Sequence, residues 1–205
     1  MGLDYGYDIY LPPRRIPRAL AVLAEHAPTH DRQPLDLTLP GGARLVLPFT
    51  SLWWSDPVDA STSDTVELDT SILFDADDEV LAYADECGLP VRDDGRVQVG
   101  YVYLRVRFRS LPHPDYAVLE FAAATSRMSR LFDRSLTVGQ FFTGLTATAG
   151  GACCLFDTGD GGPERVRRLN GESVDEMIGA GRFPDLAALA ATWPDPGEGP
   201  DPGTL

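Results

Sequence analysis

A chain of 205 residues, 43% of them hydrophobic, with a formal net charge of -14, suits one domain with a proper core. The surplus of acid argues against nucleic acid, which is bound by clustered cations that neutralise phosphates, and equally against an anionic membrane surface. No apolar run approaches the ~18 residues needed to cross a bilayer, and the start of the sequence lacks the basic stretch and apolar segment of a secretory signal.

All 17 basic residues are Arg. With abundant Ala, Gly, Pro and Asp, that composition is the mark of a high-GC bacterial genome. Cys87, Cys153 and Cys154 have neither disulfide nor zinc spacing, so free thiols in a reducing cytoplasm are expected. Cys153 and Cys154 are adjacent, and on a strand they point to opposite faces.

Residues 5–11 alternate and read as a first strand, stopped by Pro12-Pro13. Ile16, Leu20, Leu23 and Ala27 recur at helical spacing. Residues 35–49 form a hairpin pattern around Gly41-Gly42, and residues 66–74 a further strand. The acidic run Asp75-Ala76-Asp77-Asp78-Glu79 opens a helix to Cys87, with Gly88 as its stop. Residues 97–109 and 116–124 make a long hairpin in which Leu104 faces Phe121 and Val106 faces Leu119; a slip of one residue puts arginines inside, so the register is specified. Residues 126–134 predict a short helix. A capping-box pattern starting at Thr137 and ending in Gln140 predicts another, closed by Gly150-Gly151. Residues 152–156 and 165–169 read as strands. A second capping box, Ser173-Val174-Asp175-Glu176, predicts a helix to Ile178, and Pro184 opens a last one. Hairpins outnumber crossovers, so the expected class is α+β: a largely antiparallel sheet with helices mainly on one face. Residues 1–193 are expected to form a single domain, with residues 194–205 a disordered acidic Pro/Gly tail.

Four constellations carry chemistry-bearing side chains. Tyr101, Tyr103, Arg105, Arg107 and Arg109 share one strand face, with Arg105 opposite Glu120. Guanidinium groups there suit a carboxylate or phosphate, or a cross-strand ion pair. Trp53 and Trp54 sit in a loop with Asp56, where exposed aromatics flanked by acid suit a protein-binding hot spot. Asp75, Asp77, Asp78 and Glu79 lack the Gly and distant Glu of a calcium loop, so a helix N-terminus is expected. Asp157-Thr158-Gly159 ends an apolar strand and resembles the catalytic turn of aspartic proteases, with a looser echo at Asp69-Thr70-Ser71. That resemblance implies two aspartates sharing a proton. Asp160 and Gly161 depart from the family pattern, the surroundings read as partly helical, and the two halves do not repeat. A Gly-rich turn is therefore the expectation.

No spacing supports a catalytic group, a metal or a cofactor. The expected function is non-enzymatic: an acidic cytoplasmic module binding a basic protein, as an immunity protein neutralises its toxin. The alternative is an enzyme or binder of a small anion using the Arg/Tyr face and Asp157.

Overall fold

Alternation with a period of two dominates the chain, and in a computed structural model it builds a sheet of eight strands. The structure describes residues 3–28, 34–51, 56–159, 162 and 164–197. In chain order the strands are β1 (Gly6–Leu11), β2 (Leu35–Thr38), β3 (Arg44–Leu47), β4 (Thr50–Ser51), β5 (Val58–Asp59), β6 (Thr65–Asp75), β7 (Arg96–Arg107), β8 (Ala117–Ala123), β9 (Cys153–Asp157), β10 (Arg165–Leu169) and β11 (Glu172–Met177). The helices are α1 (Ile16–Glu25), α2 (Asp78–Cys87), α3 (Ser126–Arg134), α4 (Leu136–Ala149) and α5 (Leu186–Ala190). The main sheet runs β11-β10-β9-β1-β8-β7-β6-β4, and β3-β2-β5 forms a small second one. Every pairing in the main sheet is antiparallel. The fold is α+β.

One face of the main sheet is the core. Val102, Leu104 and Val106 of β7 and Leu119 and Phe121 of β8 turn inward against Leu20, Leu23, Phe132, Phe142 and Leu145 of the helices. Leu104 pairs with Phe121 and Val106 with Leu119, the register expected from the sequence. Tyr7 stacks on Phe142 at 4.3 Å between ring centroids, and its hydroxyl donates to the Phe132 carbonyl at 3.1 Å. Burying side chains of this size contributes about 1.5–3 kcal/mol each.

The other face is covered at one end only. Tyr10, Val118, Cys153, Leu155 and Val166 meet Leu189 and Trp193, from α5 and just beyond it, in a smaller cluster. Adjacent Cys153 and Cys154 thus fall in different clusters. Trp193 lies on Tyr10 and Tyr116, and the Tyr116 hydroxyl donates to the Pro194 carbonyl at 2.6 Å. The expected tail is described only as far as Gly197; residues 198–205 lie outside the described residues.

Two local expectations are corrected. Residues 173–177 belong to strand β11, with Ile178 in the turn after it, and not to a helix: Leu169 pairs with Glu172 across Asn170-Gly171, both at positive φ (47° and 92°). That two-residue Asn-Gly turn is a strong hairpin signal and outweighs the capping pattern that follows it. The N-cap of α4 is Ser135, whose hydroxyl accepts from Val138 N–H at 3.1 Å. Thr137 instead turns to Asp77, donating its N–H and hydroxyl to Oδ2, each at 3.1 Å. Among the described residues, no helix is long and apolar enough to cross a membrane.

Candidate functional site on the open face of the sheet

Where α5 does not reach, the outer face is exposed along β6 and β7 and, on β8, only at Ala122, whereas on β1 Gly6 and Tyr10 are buried and Asp8 is half-buried. Registers align one row of side chains across it: Glu67 of β6, Arg105 of β7, Glu120 of β8, Asp8 of β1 and Leu155 of β9. The next row holds Asp69, Tyr103, Ala122, Gly6 and Asp157. Tyr101 and Tyr103 are 56% and 52% exposed.

Charges alternate along the first row until they reach β1. Arg105 Nη2 lies 2.8 Å from Glu67 Oε1, and its Nη1 lies 3.8 Å from Glu120 Oε2. Arg107 Nε donates to Glu120 Oε1 at 2.6 Å. Glu120 therefore serves both arginines, and Asp8 follows it in the row with no ion pair among the described residues. Burial holds the Asp8 carboxyl well above the usual carboxylate range; Glu120, Asp157 and Glu164 add to the effect, and Arg107 opposes it. Glu164, just before β10, is raised by burial and by Asp157. Asp69 is raised by burial and by Glu67. Burial pushes the Tyr10 hydroxyl up, with Asp8 and Glu164 contributing. The face thus holds more carboxylates than its own cations neutralise. Among the described residues, no three His, Cys, Asp or Glu are arranged to hold a metal ion.

The residues singled out from sequence fall in four places. Tyr101, Tyr103, Arg105 and Arg107 lie on this face, and the two arginines are engaged by carboxylates. Arg109 lies beyond the end of β7 and lines a cavity of about 790 Å3 with Arg14, Ile16, Leu39 and Phe108. Trp53 and Trp54 lie outside the described residues, and Asp56, which follows them in the sequence, is exposed. Asp157 accepts from Gly159 N–H at 2.8 Å, the local turn expected of it. Asp157 and Asp69 are four strand steps apart on the sheet, which is about 19 Å, too far to share a proton as an aspartic dyad does.

The acidic run at residues 75–79 is a helix N-terminus with an added role. Asp77 caps α2 by accepting from Val80 N–H at 2.8 Å, and its other oxygen accepts from the Ser135 hydroxyl at 2.8 Å. Burial opposes ionisation of Asp77, but the bonds from Val80, Thr137 and Ser135 outweigh it and hold the carboxyl below its ordinary value.

Asp8 and Glu164 escaped the sequence reading. A readable signal existed for Asp8: it sits in the middle of an alternating strand between Tyr7 and Ile9, which both face the core. Glu164 has no local signal. No protein-family model, curated protein or solved structure matches the chain.

Proposed function

We propose that this chain is a non-enzymatic binding module that docks a basic protein on the open face of its sheet. The observation that carries the reading is the exposed part of the face on β6 and β7, where Glu67 and Asp69 stand beside half-exposed Tyr101 and Tyr103 while Arg105 and Arg107 are already held by Glu67 and Glu120. A Lys or Arg side chain from a partner is suited to the carboxylates of Glu67 and Asp69 at that edge. Half-exposed Tyr101 and Tyr103 are the residue type that anchors protein interfaces. A net charge of -14 speeds encounter with a cationic partner and suits masking of a basic cleft, as in toxin neutralisation. A cytoplasmic setting belongs to the same reading, supported by the three free thiols. Asp56, which is exposed and follows Trp53 and Trp54 in the sequence, is a second candidate contact. An anion bound at Arg105 or Arg107 is less favoured, because it has to displace Glu67 or Glu120.

The test is capture of lysate proteins on the immobilised protein and on a Tyr101→Ala/Tyr103→Ala variant, eluted with salt. One basic protein in near-equal amount, released by salt and lost with the variant, is expected. Equal retention on both baits, or no basic protein on either, overturns the reading.

A further inference from the structure

Toward β4 the open face of the sheet turns inward. A cavity of about 430 Å3 opens there, lined by Thr50, Asp69, Ser71, Arg92, Gln98 and Tyr101 among others. Its volume is within the range that bound ligands fill. Register brings these residues together: Asp69 of β6 pairs with Thr50 of β4 on one side and with Tyr103 of β7 on the other. Tyr101 lies two residues before Tyr103, and Arg92 comes from the segment between α2 and β7.

The acceptors in this lining are unspent. The side chains of Asp69, Thr50, Ser71 and Gln98 make no hydrogen bond or ion pair among the described residues. Glu67, the next carboxylate along β6, is by contrast held by Arg105 at 2.8 Å. Asp69 is half-buried, and burial and Glu67 raise its carboxyl above the ordinary value; an incoming cation relieves that cost. Arg92 is the cation of the lining, and its Nε faces Asp94 Oδ1 at 3.6 Å. Tyr101, 56% exposed, brings a ring to the same cavity, and a ring face attracts a cation.

We propose that this cavity seats an arginine side chain of the partner, its guanidinium paired with Asp69 and lying against the Tyr101 ring. The proposal rests on the docking of a basic protein inferred above and names the residue type that the partner inserts. A guanidinium is planar, stacks on aromatic faces and carries five N–H donors. The two Asp69 oxygens, the Gln98 amide oxygen and the Thr50 and Ser71 hydroxyls supply acceptors for them. A lysine ammonium is a compact, strongly hydrated charge with three donors, and it leaves more of these acceptors unused.

The test is amide NMR of the isotope-labelled protein at constant ionic strength, titrated with N-acetyl-arginine N-methylamide and with its lysine and citrulline counterparts. Citrulline keeps the shape of arginine and lacks the charge. Saturable shifts in residues 69–71 and 98–101 are expected with the arginine compound, with weaker binding of the lysine compound and no saturable shift with the citrulline one. Asp69→Asn is expected to weaken the arginine compound at least tenfold, as loss of a charged hydrogen-bond partner does. Tyr101→Leu, at an exposed position, is expected to keep the melting temperature and to weaken binding at least twofold; it decides alone if Asp69→Asn does not fold. Absence of saturable shifts, an equal response to citrulline, lysine binding as tight as arginine, or wild-type affinity in Tyr101→Leu overturns the proposal. The lysate capture separates the two readings. A basic protein retained by a chain whose cavity ignores the arginine compound leaves the docking reading and removes the seat. Saturable arginine binding with no basic protein captured removes the docking reading instead.

Discussion

Asp8 lies opposite Glu120 in the β1–β8 register, so two carboxyl groups meet in one row of the sheet. Glu120 is already held by Arg107 at 2.6 Å. Like charges directly opposite each other destabilise a sheet, and the protein meets that cost by keeping Asp8 protonated to higher pH than an ordinary aspartate.

The consequence has a definite sign. Folded Asp8 retains its proton through a pH interval in which the unfolded chain has lost it. The native state then binds more protons, and stability falls as pH rises across that interval. Asp8→Asn removes the loss. It is expected to stabilise the protein at pH 7.5 by on the order of 1 kcal/mol, a rise of roughly 2–4 °C in melting temperature for a chain of this size. Near pH 4 the two proteins are expected to melt together. A variant that gains equally at both pH values speaks against a protonated Asp8.

Asp77 fastens two helices, accepting from Val80 at the start of α2 and from Ser135 and Thr137 at the start of α4. Asp77→Ala is expected to cost about 1–3 kcal/mol, the loss of a cap and of hydrogen bonds to a charged group. Because its folded pKa is depressed, this contribution is present above the unfolded pKa and is lost as pH falls through the folded one. Urea melts at pH 7 and pH 3 read the difference, which is expected to shrink at the lower pH.

Burial pushes the Cys154 thiol up to about 12, and Cys153 is raised for the same reason. Thiolates are the reactive form, so neither reacts readily in the folded state. Cys87 is exposed. A colorimetric thiol reagent is expected to titrate one cysteine in the native protein and three in urea. A native count of three shows the two-sided cover of β9 to be open.

Gly171 sits at φ 92° with open space where a side chain would go. Gly171→Val is therefore penalised by backbone strain alone, about 1–3 kcal/mol. Gly144 in α4 also has open space and no positive φ, so Gly144→Ala is expected to stabilise by roughly 0.5–1 kcal/mol. Chemical denaturation of the pair separates backbone cost from crowding. Equal effects of one sign remove the left-handed turn from the explanation of β11.

The alternating elements were legible because a period of two leaves little choice. In β7 and β8 any slip by one residue carries Arg105 and Arg107 into the core, so the pairing of Val106 with Leu119 follows from the residues themselves. The split of Cys153 from Cys154 follows in the same way. Residues 173–178 were misread because a four-residue capping pattern is weak evidence beside a two-residue Asn-Gly turn. The cap of α4 shifted from Thr137 to Ser135 because Asp77, 60 residues earlier, engages Thr137.

For the open face, the strand carrying Tyr101, Tyr103, Arg105 and Arg107 could be picked out, along with Glu120 as the partner of Arg105, since all of them lie in one hairpin. What Asp8, Asp157 and Glu164 contribute could not. The amino-acid sequence by itself determined which residues alternate, which face of each strand is apolar, and that the chain carries a large acidic surplus. Only the tertiary structure decided that β1 lies between β8 and β9, bringing Asp8 beside Glu120 and near Asp157 and Glu164. Side-chain periodicity specifies which way a residue points within its own strand, whereas a residue's neighbours across the sheet are set by long-range pairing that no local pattern encodes.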